Sequence, residues 1–284
     1  MIRHYFGAHV SIAGGIDKAI QRGEELRCNT LQVFVKNASQ WRAKPMDKAV
    51  VARFRLAHGN SSIGPIVAHA SYLINLAGTD ETKLELSCNA LVDELERCTL
   101  LEIPYLVVHP GAHLGAGEEA GILQISKSLK RCLARLPLSP VRVLLENTAG
   151  QGSVLGYRLE HLAAVINQCE GFSERLGVCV DTCHAFAAGY PIHQKEGYEV
   201  FWRQLHDTLG AGTVCCIHLN DSKKAFDSRR DRHANLGEGE IGLDCFRRLV
   251  TDSRIAEIPM ILETPTGADG EGHRRDLELL RSFS

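Results

Sequence analysis

Eight short apolar runs, each followed by a helix-like stretch, constrain what this chain can fold into more than any other feature. They read HYFGAH (4–9), TLQVFVK (30–36), PIVAH (65–69), YLVVH (105–109), VRVLLE (141–146), LGVCVD (176–181), VCCIH (214–218) and PMILE (259–263). Between them, LELSCNALVDELERCTLL (84–101), ILQISKSLKRCLARL (122–136), EHLAAVINQC (160–169) and GLDCFRRLV (242–250) repeat apolar residues at three- and four-residue steps. That period is the signature of an amphipathic helix, and strands alternating with helices imply a parallel sheet. Eight such units in 284 residues predict a closed (β/α)8 TIM barrel. An open doubly wound sheet is the competing fold. It calls for fewer strands and a Gly-rich first turn, and SIAGG after the first run is not a G-x-G-x-x-G. No linker, low-complexity segment or charge block divides the chain, so one domain over residues 1–284 is expected.

The ends of the runs carry the chemistry. Their last residues are His9, Lys36, His69, His109, Glu146, Asp181, His218 and Glu263. Seven of these eight are His, Asp or Glu, types that supply only 47 of the 284 residues (13 His and 34 acids), so chance would place one or two there. Parallel strands of a barrel point their C-terminal ends to one rim, where barrel enzymes build their sites. Four imidazoles and three carboxylates gathered in one mouth require cations. Histidine with carboxylate and no thiolate favours Zn²⁺, with Mn²⁺ or Fe²⁺ also compatible.

Further ligand types follow in the loops. The stretch VDTCHAFAAGY (180–190) leaves an apolar run and at once sets out Asp181, Cys183 and His184, either to cap a helix or to contribute to a site. The loop after the seventh run carries Asp231 and His233 as D-x-H, with Glu238 and Glu240 beyond, which read more readily as turn residues. His69, His109, Glu146, Asp181, His184, His218, Asp231, His233 and Glu263 make nine candidates. A catalytic zinc usually takes three protein ligands, so nine suit more than one ion.

Bulk composition narrows the partners. Net charge is -2 and the isoelectric point about 6.7, so positive charge for a polyanion must be local. MIRHYFGAHV has no signal-peptide core, and no apolar run approaches a membrane span, so a soluble, cytoplasmic protein with no membrane partner is expected. The ten cysteines form no C-x-x-C pair, and several fall at apolar helical positions; most read as small, reduced core residues.

The motifs GAHVSIAGG, HASYLINL, HPG, ENTAGQG, DTCHAFAAGY, HLNDSK, DRHANLGEG and LETP, in that order from about residue 7 to 265, closely resemble the endonuclease IV family of abasic-site DNA repair enzymes. The resemblance implies a (β/α)8 barrel with three zinc ions at its rim. It implies hydrolysis on the 5′ side of abasic sites in double-stranded DNA, leaving a 3′-hydroxyl, and removal of 3′ blocking groups, within base excision repair. By the same resemblance His69, His109 and Glu146 share one ion, and Glu146 also bridges to a second, completed by Asp181, His218 and Glu263. His184, Asp231 and His233 hold the third, Cys183 is a bystander, and the protein acts as a monomer. Glu146 and Glu263 are the expected catalytic pair, orienting a metal-bound hydroxide.

That chemistry is intelligible without the family. Phosphodiester hydrolysis needs an attacking hydroxide, neutralised phosphate charge and a stabilised leaving oxygen, and several metals in one mouth can supply all three. An abasic nucleotide is cheap to turn out of the helix because no base pairs or stacks there. Tyr72 and Leu73 resemble the family's minor-groove intrusion loop, an aromatic beside an aliphatic that can fill a vacated stack. Lys36, Lys223, Lys224, Arg229, Arg230 and Arg232 offer local charge for phosphates, and His9 is a candidate substrate contact. One departure stands in VKNASQW (35–41): some family members carry a DNA-inserting arginine where Ser39 stands, so wedging here is expected to rest on Tyr72, Leu73 and Gln40.

Two other functions compete. A metal-dependent sugar isomerase or epimerase on a related barrel would need one or two metals and a group poised for proton transfer. A non-catalytic binder of abasic DNA would keep closed structural sites, which favour cysteine.

Overall fold

The computed structural model describes residues 4–284. Ten strands follow one another: β1 (Tyr5–Ala8), β2 (Leu31–Phe34), β3 (Ile66–His69), β4 (Tyr105–Val108), β5 (Arg142–Glu146), β6 (Leu176–Asp181), β7 (Val214–His218), β8 (Asp221–Ser222), β9 (His233–Ala234) and β10 (Pro259–Leu262). Eight of them form one sheet in the order β1-β10-β7-β6-β5-β4-β3-β2, with every pairing parallel. The remaining two, β8 and β9, make a small antiparallel hairpin. A parallel bridge between His9 and Gln32, with Val10 N–H donating to the Gln32 carbonyl at 2.9 Å, joins β1 to β2 and closes the sheet into the expected (β/α)8 barrel. Gly7 makes this seam possible, since a Cβ there would lie 1.9 Å from the Thr30 carbonyl oxygen.

The anticipated helices are present at Glu81–Leu101, Glu118–Ala134, Leu159–Gln168 and Leu243–Thr251. The first begins where Asp80 accepts a hydrogen bond from Lys83 N–H at 3.0 Å, an N-cap that satisfies one orphan donor. Among the described residues no helix is long and apolar enough to cross a membrane.

Alternation along the strands sorts the core into an outer and an inner part. Ile66, Ala68, Leu106, Val108, Val143, Leu145, Val178, Val180, Ile217 and Leu262 point outward and join the large cluster packed with the helices. Val67, Val107, Leu144, Cys179, Cys215, Cys216 and Ile261 point inward and form a separate cluster, a plug inside the barrel. Each plug residue except Cys215 stands two positions before a residue from the run ends: Val67 before His69, Val107 before His109, Leu144 before Glu146, Cys179 before Asp181, Cys216 before His218 and Ile261 before Glu263. Two residues along a strand span about 6–7 Å, so the ligand-type side chains lie one tier above an apolar floor. The pairing of β6 with β7 skips a residue between Val178 and Cys179, so Val214 and Cys216 are in register and Cys215 is the extra residue. All ten cysteines are buried and unbonded.

Candidate metal centre

Six of the nine candidate ligands come from the barrel wall. His69, Glu146, Asp181 and His218 end their strands, while His109 and Glu263 stand one residue past β4 and β10. His184 arrives on the short helix Thr182–Ala187, and Asp231 and His233 come from the β8–β9 hairpin. Three groups result: His69 with His109 and Glu146; Glu146 with Asp181, His218 and Glu263; and His184 with Asp231 and His233. Within each group the potential ligand atoms lie within 4.8 Å of one another.

The stretch after β6 shows how backbone and site share one residue. Asp181 is the N-cap of the helix Thr182–Ala187, its Oδ1 accepting from His184 N–H at 2.7 Å. Its other oxygen accepts from the Asn220 amide at 2.6 Å and turns to His218 and His233, at 3.9 and 3.7 Å. Capping and site-building are therefore the same act here, and the cap puts His184 on the first turn facing Asp231. Asn147 pins the strand end, accepting from Asp181 N–H at 2.7 Å. Cys183 is buried beside them, its thiol pushed up to about 12 by burial and by Asp181.

The imidazoles reveal what the cluster is built to hold. His69 Nδ1 donates to the Ala70 carbonyl at 2.7 Å, leaving Nε2 3.1 Å from Glu146 Oε2. His184 Nδ1 donates to the Asn147 carbonyl at 2.9 Å, leaving Nε2 3.1 Å from Asp231. His218 Nε2 donates to Gln32 Oε1 at 2.8 Å, leaving Nδ1 3.2 Å from both Glu146 and Glu263. His233 Nδ1 donates to the Glu263 carbonyl at 3.3 Å, leaving Nε2 3.1 Å from Asp231 Oδ1. In each ring one nitrogen is committed as a donor, which leaves a lone pair facing carboxylates that can only accept. Such a gap is filled by a proton or a cation, and the remote hydrogen bond is what fixes a metal-ligating imidazole. The donor set of imidazole and carboxylate fits zinc.

Electrostatics agree. Burial would push the Glu146 carboxyl up, but His109 and His218 outweigh it and hold it well below the usual range. Glu263 is likewise held down against burial, chiefly by His218. Burial would lower His184, yet Asp181 and Asp231 raise it well above its ordinary value. His233 goes the same way against burial, to about 9, through Asp231 and Asp181. The cluster thus recruits positive charge, and a cation entering it displaces protons.

The remaining expected residues divide. Tyr72 is exposed at the mouth, its ring 5.4 Å from His69 and 5.6 Å from Phe34 between centroids, with Leu73 half-buried beside it. Ser39, Gln40, Lys223, Arg230 and Arg232 are all exposed on rim loops. His9 lies against Phe34 at 4.4 Å, with Nδ1 2.9 Å from Gln32 and Nε2 buried without a partner. A recess of about 290 Å³ runs past His9, Phe34, Tyr72, His233 and Glu263, and another of about 250 Å³ past His109, His184 and Asp231, so the donor groups lie between two openings. A larger cavity of about 510 Å³, beside Trp202 and Ile258, gathers no such donors.

Lys36 corrects an expectation. It is buried, and its ammonium sits 3.3 Å from both Asp93 and Glu94 and donates to the Trp41 carbonyl at 3.1 Å. Its charge is neutralised inside the protein, so it is no DNA contact. Glu94 also accepts from Ser71 N–H, so the pair braces the Tyr72 loop from behind. Arg229 is engaged as well, 3.2 Å from Asp227 and 4.7 Å over the Tyr157 ring. Glu238 pairs with Arg275, and neither Glu238 nor Glu240 joins a donor group among the described residues.

Several residues that matter here carry no signal in spacing or composition. Gln32 bridges His218 and Glu263, donating to the latter at 2.7 Å. Asn220 ties Asp181 to the backbone N–H of Glu263. Asp221 is fully buried and accepts from the N–H groups of Ser222, Gly237, Gly239 and Ile241 at 2.8 to 3.2 Å, closing the neck of the loop that carries Asp231 and His233. Gly239 has no room for a side chain, since a Cβ would meet Asp221 Oδ1 at 2.4 Å.

Residues 20–283 match the family described as Xylose isomerase-like TIM barrel. A relative named probable endonuclease 4, from Chloroflexus aurantiacus, is 50% identical over 278 residues, covering 98% of this chain and 97% of its own. The crystal structure of endonuclease IV from Thermus thermophilus superposes with a TM-score of 0.87 at 34% identity, covering 99% of this chain and 98% of that one. A D-tagatose 3-epimerase-like protein also superposes, with a TM-score of 0.73 over 99% of this chain and 97% of its own, but at 19% identity it shares the fold alone.

Proposed function

The chain belongs to the endonuclease IV family, and from that premise we propose a three-zinc hydrolytic centre that cuts double-stranded DNA on the 5′ side of abasic sites and clears blocked 3′ ends. The protein is an apurinic/apyrimidinic endonuclease. His69, His109 and Glu146 hold one ion; Glu146, Asp181, His218 and Glu263 a second; His184, Asp231 and His233 the third. The observation that carries this is the imidazole arrangement: committed remote nitrogens and free ligand nitrogens aimed at ionised carboxylates. Mn²⁺ or Fe²⁺ suits the same oxygen and nitrogen donors.

When bound, such ions neutralise phosphate charge, acidify water at neutral pH and stabilise a leaving oxygen. The side chains do the rest. Glu146 and Glu263 present ionised oxygens to the mouth and orient the attacking water; Gln32 and Asn220 fix the second of them. Tyr72 and Leu73 fill the gap left by the missing base, with Gln40 beside them on the neighbouring loop. Lys223, Arg230 and Arg232 contact phosphates and set the register of the duplex, and His9 touches the substrate at the edge of the recess it lines. One domain acting as a monomer in the cytoplasm completes the reading.

The test is an end-labelled duplex with one stable abasic analogue, incubated with protein before and after chelation. A single cut 5′ to the lesion, extendable by a polymerase and abolished by the chelator, is expected. Protein holding about three metals per chain that neither binds nor cuts this duplex would overturn the proposal and turn attention to sugars. Tight binding without cleavage would leave a damage binder.

A further inference from the structure

The floor beneath the metal tier is aliphatic except at Asp181 and His218, where it turns to sulfur. Val67, Val107, Leu144 and Ile261 are interrupted by Cys179 and Cys216, which are in register on β6 and β7, fully buried and free. With His218 they form a donor group of their own, its sulfur and nitrogen atoms within 4.8 Å of one another. Metal–sulfur bonds of about 2.3 Å put two thiolates on one ion at most about 4.6 Å apart, a spacing compatible with this group. Cys215, the residue skipped by the register shift, does not take part; its sulfur contacts the Gly212 and Thr213 carbonyls at 3.9 and 3.4 Å.

We propose that Cys179, Cys216 and His218 form a separate site for a thiophilic d¹⁰ cation, and that filling it disables the hydrolytic centre by withdrawing His218. The balance is simple. Two S–H bonds break, two metal–sulfur bonds form, and two protons leave to solvent. A divalent ion with two thiolates is then neutral, which an apolar floor tolerates where a lone charge is costly. Two soft sulfur donors favour a cation softer than the zinc, manganese or iron suited to the nitrogen and oxygen donors of the tier above. His218 belongs to both donor groups, so the two sites compete for one ring. The binding half of this inference is independent of the nuclease reading, and the inhibition half rests on it.

The test titrates Cd²⁺ into the full-length, zinc-loaded chain under a phosphine reductant, following thiolate-to-cadmium absorption and abasic-site cleavage in parallel. Wild type and Cys215→Ala should develop the absorption of two thiolates and lose cleavage together. Cys179→Ala and Cys216→Ala should bind with the absorption of at most one thiolate and need at least about tenfold more Cd²⁺ for the same fractional inhibition. Cys216→Ser, which keeps the volume, guards against misfolding and should match Cys216→Ala. No thiolate absorption in wild type, or unchanged absorption in Cys179→Ala/Cys216→Ala, would overturn the site. Absorption with equal inhibition of all variants would overturn the competition. Absorption in a protein that never cuts abasic DNA would keep the site and remove the nuclease reading instead.

Discussion

Two tiers of the barrel interior, two residues apart on the same strands, answer to opposite rules. The lower tier of Val67, Val107, Leu144 and Ile261 excludes water and asks nothing of the solution. The upper tier of His69, His109, Glu146, Asp181, His218 and Glu263 contains no lysine or arginine and so depends on what it binds. One pleat separates a layer that makes the fold from a layer that uses it. The apolar floor also serves the upper tier, because low polarity beneath the charges strengthens every interaction among them.

Glu146→Gln, above the boundary, should cost at least about 10³-fold in single-turnover cleavage while the fold persists, and should lower the bound metal count. Near-wild-type cutting by this variant would erase the distinction between tiers. Leu144→Ala, directly below on the same strand, should do the reverse. It should lose about 2–5 kcal/mol in denaturant unfolding, with cleavage per folded molecule little changed. A collapse of cleavage without a loss of stability would show that the floor belongs to the site.

A third buried polar group sharpens the contrast because it carries its own cation. Burial raises the Glu94 carboxyl to about 7 from an ordinary 4.5, against the pull of Lys36. A folded value above the unfolded one means stability present in full below about pH 4.5 and lost as pH rises through 7. Wild type should therefore lose up to about 3 kcal/mol relative to Glu94→Gln across that window. A constant difference between the two proteins would refute the assignment. The smallest effect belongs to the exposed loop: Lys223→Ala with Arg230→Ala should flatten the salt dependence of DNA binding by about 0.9 per lost phosphate contact, about 2 in all, and spare the chemical step. An unaltered slope would move the phosphate contacts elsewhere.

Much of this was legible in the sequence, for physical reasons. A short apolar run that ends on a ligand type marks both a strand and the rim it reaches, so β3, β5, β6 and β7 end on the anticipated residues. Lys36 misled because a lysine at a run end looks like a phosphate contact. Its partners Asp93 and Glu94 lie on the helix Glu81–Leu101, where nothing local marks them. Gln32, Asn220 and Asp221 were invisible for a related reason: each acts through one distant hydrogen-bond partner or several, and an amide or lone carboxylate has no periodic signature. The skipped register at Cys215 is equally silent, since a bulge depends on the neighbouring strand.

The Asp221 clasp carries a consequence for affinity. A loop spanning residues 221 to 241 would ordinarily have to be ordered by its cargo, and that ordering would be subtracted from every binding event. Four N–H groups gathered on one buried carboxylate close the neck through the chain's own hydrogen bonds. Asp231 and His233 are thereby held in place, and an ion taken up there would meet a preorganised seat rather than a segment it must first fold.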